Sequence, residues 1–185
     1  MAARQLVDAD QLRRTVARIA HEIVERHADP ETIALVGIHT RGVPLARRLA
    51  ALIGEFAGRE PAFGSVDIAL YRDDVGVGGS RRASIPVVGD TVLDFPIDER
   101  TIVLVDDVLF TGRTIRAAID ALLDYGRPPL VQLAVLVDRG HRELPIRPDY
   151  VGRNLPTSRN ERVTVHLAEV DGSDEIVLED DDGRP

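Results

Sequence analysis

Apolar and polar positions along this chain follow two periods, and stretches with the two periods alternate. Unbroken apolar, β-branched runs predict three buried strands, at residues 32–38, 101–105 and 130–137. Weaker apolar runs predict further strands at residues 66–71, 162–167 and 176–178. Apolar residues at helical spacing follow Asp8, Pro44 and Thr114. This alternation predicts an α/β domain with a mostly parallel central sheet flanked by helices.

The first helix carries signals for its start, its end and its two faces. Asp8 and Gln11 have the spacing of a capping box, and the Pro after Asp29 predicts the end of the helix there. Its apolar face is formed by Leu12, Val16, Ile19, Ala20 and Ile23. The opposite, exposed side carries Arg14, Arg18 and His21. The second helix begins at Pro44 and is expected to run to about Phe56.

Residues 101–114 carry the candidate chemistry. A buried strand is followed by Asp106 and Asp107, and then by Thr111, Gly112 and a helix start. Unpaired amides at a helix N-terminus favour a phosphate, and glycine lets the backbone approach it closely. The two carboxylates can accept hydrogen bonds from the vicinal hydroxyls of a ribose. We therefore predict that this segment binds a 5-phosphoribosyl group.

Two other loops are candidates for the same site, because ligands of parallel sheets bind at the carboxyl ends of strands. The loop at residues 37–42 offers backbone amides and Arg41 to a diphosphate. The segment at 72–82 is rich in Gly and Arg and nearly free of apolar residues, which predicts a mobile lid carrying Arg72, Arg81 or Arg82. A plain flexible surface hairpin is the alternative. Residues 84–98 are expected to form a short hairpin.

Composition excludes several classes of function. The chain has 185 residues and no Cys, which excludes disulfides, thiolate catalysis and thiolate metal sites and favours a cytoplasmic location. No apolar run is long enough to cross a membrane, and no secretory segment is recognisable. All 23 basic residues are Arg, which excludes Lys-dependent chemistry. The expected cause of the missing Lys is a bias in genomic composition.

The net charge of −8 is concentrated at one end of the chain. Residues 166–185 hold eight acidic residues and one Arg, a charge of −7, which leaves −1 for the rest. Within the acidic end at residues 171–185, we expect residues 179–182 to be solvated. The net charge therefore does not exclude a nucleic-acid surface on the main body.

Several segments together resemble one family, the bifunctional pyrimidine operon regulators that are also uracil phosphoribosyltransferases. They are Arg18-Ile-Ala-His-Glu22, Gly37-Ile-His-Thr-Arg-Gly-Val43, Leu70-Tyr-Arg-Asp-Asp74, residues 101–114 and residues 133–158. Residues 101–114 also resemble the phosphoribosyl pyrophosphate (PRPP) motif of type I phosphoribosyltransferases, and they depart from it at Phe110 and Arg113. The resemblance implies the type I phosphoribosyltransferase fold in a single domain at 1–170, with a small hood at 138–160, followed by the acidic end.

The resemblance also implies a reaction and its residues. Uracil and PRPP would give UMP and diphosphate, with Mg²⁺ held mainly by substrate and water rather than by a protein metal site. The implied catalytic residues are Asp106, Asp107 and Arg41. The implied substrate-binding residues are Thr40, Arg41, Arg72, Asp106, Asp107, Val108, Leu109, Phe110, Thr111, Gly112, Arg113, Thr114, and on the uracil side Arg139 and the backbone near Val163. A cis peptide bond is implied at Thr40–Arg41.

The regulatory half of the resemblance implies binding of the leader mRNA of pyrimidine genes in a UMP-dependent way, by homodimers that can pair into homotetramers. The expected RNA-binding residues are Arg14, Arg18, His21, Arg142, Arg147 and Arg153. The alternative is that these side chains are solvated charges without a partner.

Two other functions remain open. A purine (hypoxanthine-type) phosphoribosyltransferase is one, because Pro148-Asp-Tyr-Val-Gly152 also resembles the hood of those enzymes. Against it, those enzymes use a lysine just before the hood, and this chain has none. The other is an RNA-binding regulator with weak enzymatic activity.

Overall fold

The structure, a computed structural model, describes residues 3–71 and 90–180 of the chain. Across these ranges the order of elements is β1 (Arg4–Val7), α1 (Ala9–Arg26), β2 (Ile33–Ile38), α2 (Gly42–Ala57), β3 (Ala62–Val66), β4 (Thr101–Leu109), α3 (Arg113–Leu123), β5 (Leu130–Asp138), β6 (Tyr150–Asn154), β7 (Glu161–His166), α4 (Ala168–Asp171) and β8 (Glu175–Asp180). Short 3-10 turns lie at Pro30–Thr32 and Ile97–Glu99.

The central sheet has five parallel strands in the order β3-β2-β4-β5-β6. Side chains alternate between its two faces, so each face has its own core. Val103 and Val105 pack on the face covered by α1 and α2, whereas Ile102 and Leu104 pack on the face covered by α3. This architecture confirms the predicted mostly parallel sheet flanked by helices.

The α1 helix follows its sequence signals closely. The Asp8 side chain accepts a hydrogen bond from the Gln11 backbone N–H at 2.8 Å, and the apolar stripe from Leu12 to Ile23 is buried. The helix ends at Arg26, a little before the predicted end at Asp29. Asp29 instead accepts a hydrogen bond from the Glu31 backbone N–H and begins the short turn that leads into β2.

Two strand predictions in the first half of the chain need correction. Residues 66–71 were expected to form a strand, but the third strand is β3 at Ala62–Val66, and residues 69–71 form a turn. Gly64 explains the shift, because a Cβ there would press on the backbone of Val92, which pairs with Ser65. The hairpin expected at 84–98 lies partly outside the described residues, and its described end contains this pairing and the turn at Ile97–Glu99.

A second, three-stranded antiparallel sheet has the order β1-β8-β7. Its middle strand, β8, contains the apolar run at 176–178 that the sequence analysis predicted as a strand; the run was expected at an edge, but it lies between two strands. Ile176 and Val177 are buried, and Ile176 pairs with Val7 and Val165 on the two flanking strands. The hood was expected at residues 138–160. The three strands of this small sheet lie outside that range, whereas β6 lies inside it and is the edge strand of the central sheet.

Candidate functional site

The carboxyl ends of β2 and β4 meet at one edge of the central sheet. Gly37 of β2 pairs with Val105 of β4, and Gly42 at the start of α2 approaches β4 so closely that a Cβ there would overlap the carbonyl oxygen of Val105. The two loops that the sequence marked as ligand sites are therefore neighbours. This contact also explains why residue 42 has to be glycine.

Asp106 and Asp107 lie within β4, which continues to Leu109 rather than ending at residue 105 as predicted. Each carboxylate accepts a hydrogen bond from the next backbone N–H, that of Asp107 at 3.0 Å and that of Val108 at 2.8 Å. Asp106 is buried and Asp107 half-buried. Burial first, and then the charge of Asp107, raise the pKa of Asp106 well above its usual range. Asp107 is thus the more accessible carboxyl group of the pair.

The phosphate-loop candidate turns sharply from β4 into α3. Gly112 has a φ of 94° in the left-handed region, and no side chain caps the helix that follows it. The Thr111 hydroxyl accepts a hydrogen bond from the Arg113 backbone N–H at 3.3 Å. The Thr111 carbonyl accepts hydrogen bonds from the Glu143 and Leu144 backbone N–H groups, at 2.9 and 3.2 Å. The helix start is therefore fixed in place and offers its amides, together with Thr114, to an anion.

The diphosphate-loop candidate is held at both of its ends. The His39 backbone N–H donates to the Val66 carbonyl at 3.1 Å, and Arg41 directly precedes α2. The cis peptide bond of this loop joins His39 to Thr40, one bond earlier than the expected Thr40–Arg41 position. Thr40 is exposed, as a ligand-binding residue would be.

Arg41 lies between two acidic side chains. Its Nη2 and Nε donate to the two carboxylate oxygens of Asp171, at 2.7 and 3.1 Å. The hydrogen bond to Asp171 and, more weakly, the charge of Asp107 raise the pKa of Arg41. The same hydrogen bond lowers the pKa of Asp171 to about 2. Gly42, which follows Arg41, packs against the backbone of Val105 and Asp106, so Arg41 and the acidic pair lie at the same edge of the sheet.

On the expected uracil side, Arg139 stacks on Phe110. The guanidinium carbon lies 4.0 Å from the ring centroid, and His141 meets the same ring edge-on at 5.8 Å. Arg139 is buried, and it donates to the Thr157 hydroxyl at 3.2 Å and to the Ser158 and Glu161 carbonyls at 3.2 and 2.6 Å. Burial lowers its pKa. Arg139 therefore fixes the 157–161 segment against the phosphate loop.

The other expected substrate residues take varied positions. Val108 and Leu109 belong to β4, and Leu109 is buried in the core beside α3. Arg113 forms an ion pair with Glu143 at 2.9 Å. Val163 is a buried residue of β7, so its side chain belongs to the core. Arg72 and the rest of the candidate lid at 72–82 lie outside the described residues.

Three of the six expected RNA-binding residues have partners within the described structure. Arg18 donates to the carbonyls of Val151 and Gly152 in β6, at 3.1 and 2.5 Å, and His21 stacks on Phe56 with ring centroids 3.7 Å apart. Arg142 pairs with Asp138 and donates to the Phe110 carbonyl at 2.8 Å. These three side chains therefore have structural partners, which the sequence did not predict.

The remaining three residues are Arg14 on α1, Arg147 between β5 and β6, and Arg153 in β6. Arg14 and Arg147 are exposed and form no ion pair within the described part of the chain. A Cβ at Gly152 would meet Thr15 of α1, so residue 152 faces that helix. Side chains alternate along a strand, so the next residue, Arg153, lies on the opposite face of the sheet.

Sequence reasoning missed three acidic residues that bind α2. Arg48 of α2 donates to Glu169 at 2.7 and 2.5 Å and to Asp174 at 2.9 and 2.7 Å, and Asp171 binds Arg41. The sequence analysis had counted these acids only as part of the charge of residues 166–185. The apolar run at 176–178 was the signal that the chain there is packed.

Hard carboxylate oxygens at Asp106 and Asp107 fit a cation such as Mg²⁺. Among residues 3–71 and 90–180, no three His, Cys, Asp or Glu side chains cluster so as to hold a metal ion by themselves. A cation at this edge of the sheet would therefore need further ligands from a bound substrate or from water. No helix within the same described ranges is both long and apolar enough to cross a membrane.

Comparisons with known proteins show the family of this chain. Residues 2–169 match the family model of the phosphoribosyl transferase domain. The chain is 58% identical over 172 residues to a protein of Roseiflexus sp. (strain RS-1) named Bifunctional protein PyrR, covering 93% of this chain and 92% of that protein. It is 57% identical to the protein of the same name from Thermus aquaticus, covering 97% of both chains.

The solved structures that resemble the chain share its fold at low sequence identity. The hypoxanthine phosphoribosyltransferase of Trypanosoma cruzi superposes with a TM-score of 0.68 at 18% identity, covering 95% of both chains. A hypoxanthine phosphoribosyltransferase of Staphylococcus aureus has a TM-score of 0.67 at 15% identity, covering 94% of this chain and 90% of the other. With the matched fold, the acidic pair and the phosphate loop at one edge of the sheet, the chain belongs to the phosphoribosyl transferase domain family and, within it, to the bifunctional PyrR proteins.

Proposed function

We propose that this chain transfers the 5-phosphoribosyl group of PRPP to uracil, giving UMP and diphosphate. One observation carries the proposal: the start of α2 beside Arg41 packs against β4 at Val105 and Asp106, and the uncapped α3 begins just after β4, so Arg41, Asp107 and the start of α3 all lie at the carboxyl ends of β2 and β4. A cation, a carboxylate and a row of amides are the groups that a phosphorylated sugar diphosphate needs. The resemblance to the pyrimidine operon regulators supports uracil as the base.

In this reaction the bond from ribose C1 to the diphosphate oxygen breaks as a bond from C1 to N1 of uracil forms, and the N1 proton is released to water. Positive charge develops on the sugar while the diphosphate leaves with the bonding electrons. Asp106 and Asp107 bind the ribose hydroxyls, and Asp107 stabilises the developing charge. The residues from Thr111 to Thr114 bind the 5-phosphate, while Thr40 and Arg41 bind the diphosphate.

Asp106 and Asp107 would help to hold a Mg²⁺ ion whose other ligands come from substrate and water, and this ion would supply charge neutralisation to the leaving group. The protein side chains then contribute mainly placement and a fixed electrostatic environment. Phe110, stacked under Arg139, forms one wall beside the base, and the 157–161 segment that Arg139 holds forms the next. We also propose that residues 72–82 form a lid over the diphosphate and that Arg72 binds substrate there.

A substrate panel tests the enzyme. Purified chain with PRPP and Mg²⁺ is assayed with uracil, orotate and hypoxanthine, and we expect UMP from uracil alone. Formation of IMP from hypoxanthine at a higher kcat/KM than UMP from uracil would instead favour the purine alternative, which the fold by itself allows.

The second activity that we propose is UMP-dependent binding to the leader mRNA of pyrimidine genes. Arg14 and Arg147 support it, because they are exposed cations without an ion-pair partner in the described structure. Arginine can pair with phosphates and stack on unpaired bases, so an RNA hairpin loop is a suitable target. UMP bound beside the 138–160 segment would order that segment and reduce the cost of docking RNA there.

The RNA proposal is tested by titrating leader RNA with and without UMP. The double variant Arg14→Ala and Arg147→Ala should bind about tenfold more weakly and show a smaller salt dependence, because fewer counterions are released. Arg13→Ala is the matched control, since Arg13 lies on the same helix but pairs with Asp10. Equal RNA affinity in the double variant and the control would contradict the proposed residues. Sedimentation of the same samples checks the expected homodimer or homotetramer.

A further inference from the structure

Residues 167–174, here called the acidic docking segment, bind α2 through two arginines. Asp171 holds Arg41 at the start of α2, and Asp174 together with Glu169 holds Arg48 two helical turns later. The segment connects β7 to β8, so these ion pairs fasten the small sheet to the helix that begins at the diphosphate loop. Only one of the two arginines, Arg41, belongs to the candidate site.

The geometry at Asp171 fixes the Arg41 guanidinium in one orientation. Both carboxylate oxygens are used, one toward Nη2 and one toward Nε, which is the bidentate arrangement that defines the plane of a guanidinium. Asp171 is itself held, because Oδ2 also accepts the Leu167 backbone N–H at 2.9 Å. The side chains of Arg41 and Asp171 are 32% and 19% exposed, so the pair lies at the edge of the site and not in open solvent.

The contacts with Asp171 use Nε and Nη2, which leaves Nη1 of Arg41 without a hydrogen bond to the described residues and available to a ligand. A free arginine side chain has many rotamers, and fixing it on ligand binding costs entropy. An arginine whose plane is already fixed by a carboxylate avoids most of that cost. The ion pair therefore prepares the cation before the diphosphate arrives.

We propose that Asp171 is a positioning residue, which orients Arg41 toward the diphosphate of PRPP without touching the substrate itself. The inference rests on the proposed diphosphate role of Arg41. The opposite relationship is that Asp171 competes with diphosphate for Arg41. Competition predicts tighter PRPP binding once the carboxylate is removed, so the two relationships differ in sign.

Asp171→Asn is the test variant, and Asp174→Asn is its matched control. Each aspartate binds one α2 arginine and also accepts a backbone N–H of the acidic docking segment, that of Leu167 for Asp171 and that of Ala168 for Asp174. The two substitutions each remove one carboxylate from the docking of the segment, and in Asp174→Asn the arginine Arg48 keeps its second partner, Glu169. They differ in whether the partner arginine belongs to the site.

For Asp171→Asn we expect the Kd of Mg²⁺–PRPP measured by calorimetry, and the KM for PRPP, to rise about tenfold, with the KM for uracil within about twofold of wild type. Asp174→Asn should lower thermal stability to a similar extent and leave both PRPP constants within about twofold. Asp171→Glu, which keeps a carboxylate, should recover part of the lost affinity. A purely structural role would shift both Asn variants alike.

Unchanged or tighter PRPP binding in Asp171→Asn would overturn the inference, as would an equal loss in Asp174→Asn. The calorimetric titration needs no base acceptor, so it separates this inference from the proposed function. A wild-type chain that binds PRPP but fails to convert uracil contradicts the choice of base, and the comparison of the Asn variants still decides the role of Asp171.

Discussion

The guanidinium of Arg139 lies 4.0 Å from the ring centroid of Phe110, and the two residues directly follow neighbouring strands, β5 and β4. Phe110 is one of the positions at which the chain departs from the usual PRPP motif. Its size has a use here, because the ring provides the surface on which a buried cation packs. The base side of the site and the phosphate side are thus joined through this pair.

Phe110→Leu should raise the KM for uracil about tenfold and leave the KM for PRPP within about twofold, because leucine fills space but offers no ring face to Arg139. The measurement is steady-state kinetics with each substrate varied in turn. Phe63→Leu is the control, since Phe63 also packs against an arginine, Arg47, at 4.3 Å, but away from the site. A rise in the PRPP constant alone would contradict the assignment.

Asp107→Asn should lower kcat/KM by about 100-fold with little change in thermal stability, because a preorganised carboxylate near the developing charge is lost. Asp120→Asn on the exposed side of α3 removes the same charge and should leave the rate unchanged. Near-normal activity in Asp107→Asn would remove its role in binding the ribose diol.

Gly42→Ala should both destabilise the protein by about 2 kcal/mol or more and reduce PRPP binding, because the added Cβ would overlap the Val105 carbonyl and separate the two loops. Gly58→Ala is a useful comparison. Gly58 has a φ of 78° at the C-terminus of α2 and open space around it, so alanine there should cost about 1 kcal/mol and leave activity intact. Urea unfolding and PRPP calorimetry on both variants distinguish the effect of backbone strain at residue 58 from the effect of steric overlap at residue 42.

Asp106 makes stability depend on pH. Burial raises its pKa in the folded state above the unfolded value of about 3.9. Between these two pKa values the folded protein holds more protons than the unfolded chain. The stabilising contribution is therefore present below the unfolded pKa and is lost as pH rises through the folded pKa. Asp106→Asn lacks this dependence, so its free energy of unfolding should gain on wild type as pH rises from about 4 through the folded pKa of Asp106. A constant difference in urea unfolding over that range would show that Asp106 ionises normally.

The central sheet and the phosphate loop were predictable because their signals are local. A continuous apolar run marks β4, and an acidic pair followed by Thr111 and Gly112 marks the turn into α3 within 14 consecutive residues. The β6 strand was not predictable, because Gly152 and Arg153 give it little strand propensity. Gly152 is required there by the close approach of the Leu136 carbonyl and Thr15.

The contact between Arg41 and Asp171 could not be predicted from the sequence, because the two residues are 130 positions apart. A row of acidic residues most often indicates a solvated surface, and no local pattern shows that these acids have an arginine partner. The same holds for Arg18, whose bonds to the Val151 and Gly152 carbonyls join it to a strand more than 130 positions away.

The place of β8 between β1 and β7 also determines the order in which the small sheet can form during synthesis. Gln5 and Glu175, whose side chains are hydrogen-bonded across β1 and β8, are 170 positions apart. At the usual rate of translation β1 leaves the ribosome roughly 10 to 30 s before its partner exists. Until then Val7 has no strand to cover it, and a nascent chain stopped after β7 would carry two unpaired strand edges beside a completed parallel sheet.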